Sequence, residues 1–191
     1  MKLELRDFLG KRTLIIGGVK SGKTRLLCAL VERMLEEGAA RVRVLDFAPD
    51  LYCGVGGKMI LPGHPRLCYL TTRIAAPRLQ GRDSAEVLAL ARSNRCRIDA
   101  LLAACLARPA PILVINDVTL YFHAGSAEWL KEVAATAATL VVNAYCGEDF
   151  QEGPVSRRER EQLEAFLPFF DRILRMEGGR IVAETPGAPQ G

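Results

Sequence analysis

Glycine, lysine and threonine stand at the spacing G-x-x-x-x-G-K-[ST] in the run Gly17-Gly18-Val19-Lys20-Ser21-Gly22-Lys23-Thr24. These residue types at this spacing cradle phosphates. Gly17 and Gly22 permit backbone angles and close approaches that a Cβ would block. Successive N–H groups then converge on an anion, and a following helix adds its positive N-terminal end. Lys23 is placed to bridge β- and γ-phosphate oxygens, and Thr24 to offer its hydroxyl to Mg²⁺. Lys20 either adds charge near the γ-phosphate or is a solvated surface cation. Arg25 completes the stretch expected to contact the ligand.

Chemistry on a bound phosphate also needs an acid near the metal and the attacking oxygen. Two stretches that read as strand ends offer one. Asp46 closes Arg41-Val42-Arg43-Val44-Leu45-Asp46, and Asp117 follows Asn116 after Ile112-Leu113-Val114-Ile115. Many ATPases with this loop carry Asp-Glu at the second place, whereas this chain carries Asn116-Asp117. An amide orients water but is no base at neutral pH. Either Asp117 does the acid work one residue along, or Asp46 is the main carboxylate. The reading favours Asp46, beside Thr24 at the metal and facing an acceptor hydroxyl. The bland reading of both is a turn-former. The ligand crevice of a parallel sheet lies at the strands' C-terminal ends, which favours function for both.

The elements that must position these groups alternate. Arg12-Thr13-Leu14-Ile15-Ile16 reads as a strand, and residues 25–37 as an amphipathic helix with Leu26, Leu27, Leu30, Met34 and Leu35 on one face. Gly38 is its expected C-cap. Residues 50–65 are rich in Gly and Pro and look like a functional loop. Leu67-Cys68-Tyr69-Leu70-Thr71 is a short strand and residues 75–81 are irregular. Ser84 caps a long helix to Arg108, broken near Asn94. The apolar run after Pro111 looks like a buried central strand. Residues 126–138 are helix, 139–143 strand, and 148–160 polar, leading into a helix to Leu167. Residues 172–183 around Gly178-Gly179 form a terminal hairpin. This order implies an α/β fold: a three-layer α/β/α sandwich with a mainly parallel sheet and a C-terminal β-hairpin. One domain is expected over residues 1–185, with a flexible tail at 186–191.

Composition sets wider bounds. The chain has 191 residues, 49% hydrophobic and 6% aromatic, so its core is aliphatic. The net charge of +4 permits an anionic ligand without demanding nucleic acid. Cys28, Cys53, Cys68, Cys96, Cys105 and Cys146 include no C-x-x-C pair, which argues against zinc and against a disulfide framework. Neither a signal pattern nor a transmembrane-length apolar run is visible, so the expected place is the cytoplasm.

The order of these pieces resembles the polynucleotide 5′-hydroxyl kinases of RNA processing, a family of P-loop NTPases. Leu45-Asp46-Phe47-Ala48-Pro49-Asp50 matches that family's Asp-Leu-Asp-Pro-Gly strand end, with Ala48 in place of the second Asp. Gly54-Val55-Gly56-Gly57 matches its glycine-rich segment. Leu67-Cys68-Tyr69-Leu70 and Ala76-Pro77-Arg78 match its aromatic strand and Ser-Pro segment. Val114-Ile115-Asn116-Asp117-Val118-Thr119-Leu120-Tyr121 matches its apolar-Asn-Thr strand, with Thr119-Leu120 where the family has a Gly-Trp clasp. Gly125 is in register with one of the spaced glycines that follow. Ser156-Arg157-Arg158-Glu159-Arg160 lies where the family has an arginine-rich lid, which implies catalytic roles for Arg157 and Arg158. The alternative for that run is a solvated helix with local Arg–Glu pairs. The P-loop and Thr119-Leu120-Tyr121 are also similar to adenosylcobinamide kinase. Neither His64 nor His123 matches that family's nucleotide-carrying histidine, and each reads as an ordinary polar loop residue. The resemblance implies ATP and Mg²⁺ as cofactors, phosphoryl transfer to a hydroxyl, and an RNA 5′ end as partner. An ATPase or switch acting on a protein partner, or a non-catalytic nucleotide-binding scaffold, are the alternatives. No guanine-reading Asn/Thr-Lys-x-Asp motif is present, which tilts the nucleotide toward ATP.

Overall fold

Arg12–Gly17 (β1) is the first of the β-branched apolar runs, and a computed structural model covering residues 4–38 and 40–187 shows what these runs build. Lys23–Glu36 (α1), Val42–Asp46 (β2), Leu67–Thr71 (β3), Pro77–Gln80 (α2) and Ser84–Ala107 (α3) follow. Next come Ile112–Asn116 (β4), Thr119–Phe122 (α4), Ala127–Ala134 (α5) and Thr139–Tyr145 (β5). Ser156–Phe166 (α6), Arg172–Glu177 (β6) and Arg180–Pro186 (β7) complete the order. Among the described residues, seven strands form one sheet in the order β3-β2-β4-β5-β1-β6-β7. All neighbours are parallel except β6 and β7, which form the expected antiparallel hairpin.

Strand side chains alternate between faces, so the central strands feed two cores. Leu14, Leu45, Leu113, Ile115, Leu140 and Val142 pack with Ile98 and Leu102 of α3, Leu130 of α5 and Phe166 of α6. Ile15, Val44, Val114 and Val141 pack on the other face with Leu27, Leu30, Val31 and Met34 of α1. The result is the three-layer arrangement implied by the sequence.

Several expectations need correction. Residues 75–81 contain the short helix α2, started by Pro77, whose missing N–H costs nothing at a helix start. The helix α3 runs unbroken through Asn94, and its N-cap is Asp83, which accepts from the Glu86 amide, rather than Ser84. Asn94 is fully buried because its amide bonds both backbone groups of Ala75, at 2.9 Å each. A residue that would compete with a helix in solution therefore pins the neighbouring turn. The strand β7 reaches Pro186, so the proposed tail is strand at its first residue; residues 188–191 lie outside the described residues.

The parallel strands all point their C-terminal ends to one edge, and register sets what meets there. Asp46 of β2 pairs with Asn116 of β4, Ile15 of β1 with Asn143 of β5, and Gly17 with Tyr145.

Candidate functional site

The loop between β1 and α1 has the shape its residues dictate. A Cβ on Gly17 would stand 2.4 Å from the Met176 carbonyl oxygen, and Gly22 is left-handed at φ +95°. The backbone turn ends with Gly22 as the N-cap of α1, aiming the helix N-terminus into a cavity of about 540 Å³. That size suits a small-molecule ligand. Val19 to Arg25 line it, and the hairpin turn Gly178-Gly179 closes one side, tied down by the Gly179 amide on the Ser21 carbonyl.

Lys23 folds over this loop. Its Nζ donates to the carbonyls of Gly17 (2.7 Å) and Gly18 (2.6 Å) and to Ser21 Oγ (3.1 Å). Burial lowers its pKa, while the carboxylates of Asp117 and Asp149 pull in the opposite direction.

Behind the loop runs a row of polar side chains from α1, β4, β5 and β2. Thr24 Oγ1 donates to Asn116 Oδ1 (3.2 Å), which also accepts from Asn143 Nδ2 (2.8 Å). Asn116 Nδ2 donates to Asp46 Oδ1 (2.8 Å). Asn143 Oδ1 accepts the Asp117 amide at 2.6 Å.

The two acids occupy different worlds. Asp46 is fully buried and its carboxylate accepts four donors: the Ala48 amide and Asn116 on Oδ1, the Met59 amide and Tyr69 hydroxyl on Oδ2. A carboxylate has about four acceptor positions, so the chain itself fills them. Asp46 does not line the cavity. Its visible work is to staple the loop before Met59 to the sheet and to orient Asn116. Asp117 does line the cavity, with the Thr119 hydroxyl on its Oδ1 at 2.9 Å. Burial raises its pKa, and the Thr119 hydrogen bond and the Lys23 charge offset part of that rise. Its backbone is left-handed at φ +58°, one of three such non-glycine residues among those described, with Lys20 and Cys53. Strain of this kind, of order 1–3 kcal/mol, collects where a side chain must be aimed.

The lid expected at Arg157 and Arg158 stands elsewhere. Arg157 is exposed and pairs with Glu161 one turn on, and Arg158 donates to the Gly125 carbonyl at 2.8 Å; neither lines the cavity. The cavity wall there is built instead by Arg78, His123 and Glu159, to which the sequence assigns no role at the site. Arg78 of α2 pairs with Glu159 of α6 at 3.0 Å, and His123 Nε2 meets the same carboxylate oxygen at 2.7 Å. The Arg78 guanidinium stands 5.3 Å from the Phe150 ring and 5.9 Å from that of Tyr145. Arg78 Nε and His123 Nδ1 are buried without a hydrogen-bond partner. His123 and Glu159 gave no usable signal, because their partner comes from α2, far away in the chain.

No family model matches the chain, and no curated protein does. Solved structures match in fold. The VirB11 ATPase of the Brucella suis type IV secretion system, solved with sulphate, superposes with a TM-score of 0.52 at 18% identity. The match covers 95% of this chain and 50% of VirB11, so the chain spans about half of that protein's length. The flagellar accessory protein FlaH from Methanocaldococcus jannaschii matches with a TM-score of 0.50 at 11% identity, over 91% of this chain and 75% of FlaH. At these identities the likeness is one of fold.

Proposed function

We propose that this chain binds ATP with Mg²⁺ on its P-loop and cleaves the β–γ bond, with Asp117 as the acid and water as the attacking group. The observation that carries this is the sharing of one cavity by Lys23, the start of α1 and Asp117, while the chain's own donors occupy Asp46. The fold it shares with an ATPase supports the same reading.

The donor set fits Mg²⁺. Thr24 and Asp117 both face the cavity, and the described residues contain no cluster of three or more His, Cys, Asp or Glu that would hold a metal alone. Mg²⁺ is commonly held by one or two protein oxygens together with phosphates. Thr24 would hold it directly and Asp117 beside it, and the bound ion would neutralise phosphate charge. Lys23 leaves its carbonyl partners for the β- and γ-phosphate oxygens. Asp117, facing the cavity, accepts the proton of the attacking water. The water oxygen bonds to the γ-phosphorus, and the bond to the bridging oxygen breaks, leaving ADP.

A second reading, transfer to a hydroxyl acceptor, has its own observation. The cavity continues past Asp117 to Arg78, His123, Tyr145, Phe150 and Glu159. An acceptor hydroxyl placed there would take the position of water. An RNA 5′ end is one such acceptor; under the hydrolytic reading water attacks and the cleavage drives a protein partner, a partner class the secretion and flagellar names of VirB11 and FlaH suggest. The test is to supply ATP with and without a 5′-hydroxyl oligonucleotide and follow the γ-phosphate. Release as free phosphate supports hydrolysis, and appearance on the oligonucleotide supports transfer. ATP binding with no cleavage under either condition overturns both and leaves a nucleotide-binding scaffold.

A further inference from the structure

The loop after β5 places a carboxylate on the P-loop itself. Asp149 Oδ2 accepts the Val19 amide at 2.9 Å. A Cβ on Gly18 would meet that same oxygen at 2.9 Å and one on Gly147 would meet it at 2.8 Å, so two bare glycines make the approach possible. The Asp149 amide is in turn held by the Tyr145 hydroxyl at 2.9 Å. The neighbouring Phe150 packs edge-on against the Tyr145 ring, with centroids 5.2 Å apart.

The position of this contact along a bound phosphate chain follows from Lys23. A P-loop lysine reaches the β- and γ-phosphates. Its Nζ here lies against the carbonyls of Gly17 and Gly18, immediately before Val19. The β-phosphate belongs at the other end of the loop, over the start of α1. The Val19 amide therefore sits at the terminal-phosphate end, and Asp149 is one of the two carboxylates whose charge acts on Lys23.

We propose that Asp149 is an internal stand-in for the γ-phosphate, displaced by ATP and left in place by ADP, so that its loop reports which nucleotide is bound. The proposal rests on the nucleotide reading above. Two anions cannot share one amide and one lysine without repulsion, so a triphosphate must expel the carboxylate. Expulsion breaks the Val19–Asp149 bond and frees the segment bearing Phe150. Phe150 stands beside Arg78, so the change reaches the far end of the cavity. A diphosphate meets the carboxylate less closely and leaves the loop docked.

The experiment is calorimetric titration of Mg·ATP and Mg·ADP into the wild type, Asp149→Asn and Asp149→Ala, with hydrogen exchange of residues 146–150 as second readout. Asp149 is exposed, and a thermal melt of each variant confirms folding. Both variants should bind ATP roughly tenfold tighter, the scale of one removed like charge at a few ångströms. Their ADP affinity should change by less than about threefold. In the wild type, exchange of the segment should rise with ATP and not with ADP. Equal changes for both nucleotides, weaker ATP binding by the variants, or identical exchange with ATP and ADP would each overturn the proposal while leaving the nucleotide site intact. Wild-type protein that binds neither nucleotide would overturn the nucleotide reading itself, and this proposal with it.

Discussion

Asp117 and Asp46 are chemically identical, and their surroundings make them different tools. Asp46 meets four donors and serves as a staple. Replacing it with Ala strands those donors, so Asp46→Ala should lose about 3 kcal/mol or more of stability by urea denaturation. Asp117 behaves in the opposite way. Its pKa is raised in the folded state, mainly by burial. The native state then holds a proton more tightly than the unfolded chain, so stability falls as pH rises from the ordinary carboxylate range through the raised value. Above that window the half-buried charge is a standing penalty. Asp117→Asn, which tolerates the same left-handed backbone, should melt at a higher temperature than the wild type at neutral pH. The difference should vanish on acidification. Thermal melts at several pH values check this, and a variant less stable at neutral pH would contradict it. A stabilising change that abolishes turnover is the mark of a residue kept for chemistry. The sequence offers both acids and favours Asp46; it cannot show that the chain itself fills the Asp46 acceptor positions, because the Met59, Tyr69 and Asn116 donors reach Asp46 only through the folded loop and strand register.

Elements explain what was legible and what was not. The strand, P-loop and helix from Arg12 to Glu36 are local: β-branched residues, glycines and a heptad-like apolar face suffice to read them. The same holds for the apolar run of β4 and for the Gly178-Gly179 hairpin. The long helix α3 was misread at Asn94 because its partner is the backbone of Ala75, outside any local window. Asn94→Ala would leave both Ala75 groups and the helix–turn junction unpaired. It should cost roughly 2 kcal/mol, read by denaturation, and should loosen residues 73–76 in hydrogen exchange. The arginine run of α6 was legible as a charged helix, yet the residue of that helix that matters at the cavity is Glu159, not Arg157 or Arg158. Only the docking of α6 against α2 and α4 reveals this. Arg78 falls in a stretch whose sequence reads as irregular; its ion pair with Glu159 makes it part of the cavity wall.

At the scale of the whole molecule, four parallel strands bring the residues of the candidate site to one edge of the sheet. The glycine-rich loop follows β1, the proposed acid Asp117 follows β4, the Asn143 amide lies on β5, and the supporting carboxylate of Asp46 closes β2. A nucleotide bound at that edge, as proposed, would tie the P-loop to the strands and to the hairpin turn, so it should stabilise the fold as a unit. Saturating Mg·ATP, at 100 times its dissociation constant, adds about 2.7 kcal/mol by linkage. A rise in melting temperature should therefore appear in the wild type and disappear in Lys23→Ala, which keeps the fold but loses the phosphate contact. The same edge carries the catalytic claim, and the most direct test of it is steady-state phosphate release or transfer from Mg·ATP by wild type and Asp117→Asn, with ATP affinity measured alongside. The account predicts a loss of about 100-fold or more in kcat with the ATP dissociation constant little changed. Turnover by Asp117→Asn at the wild-type rate would contradict it.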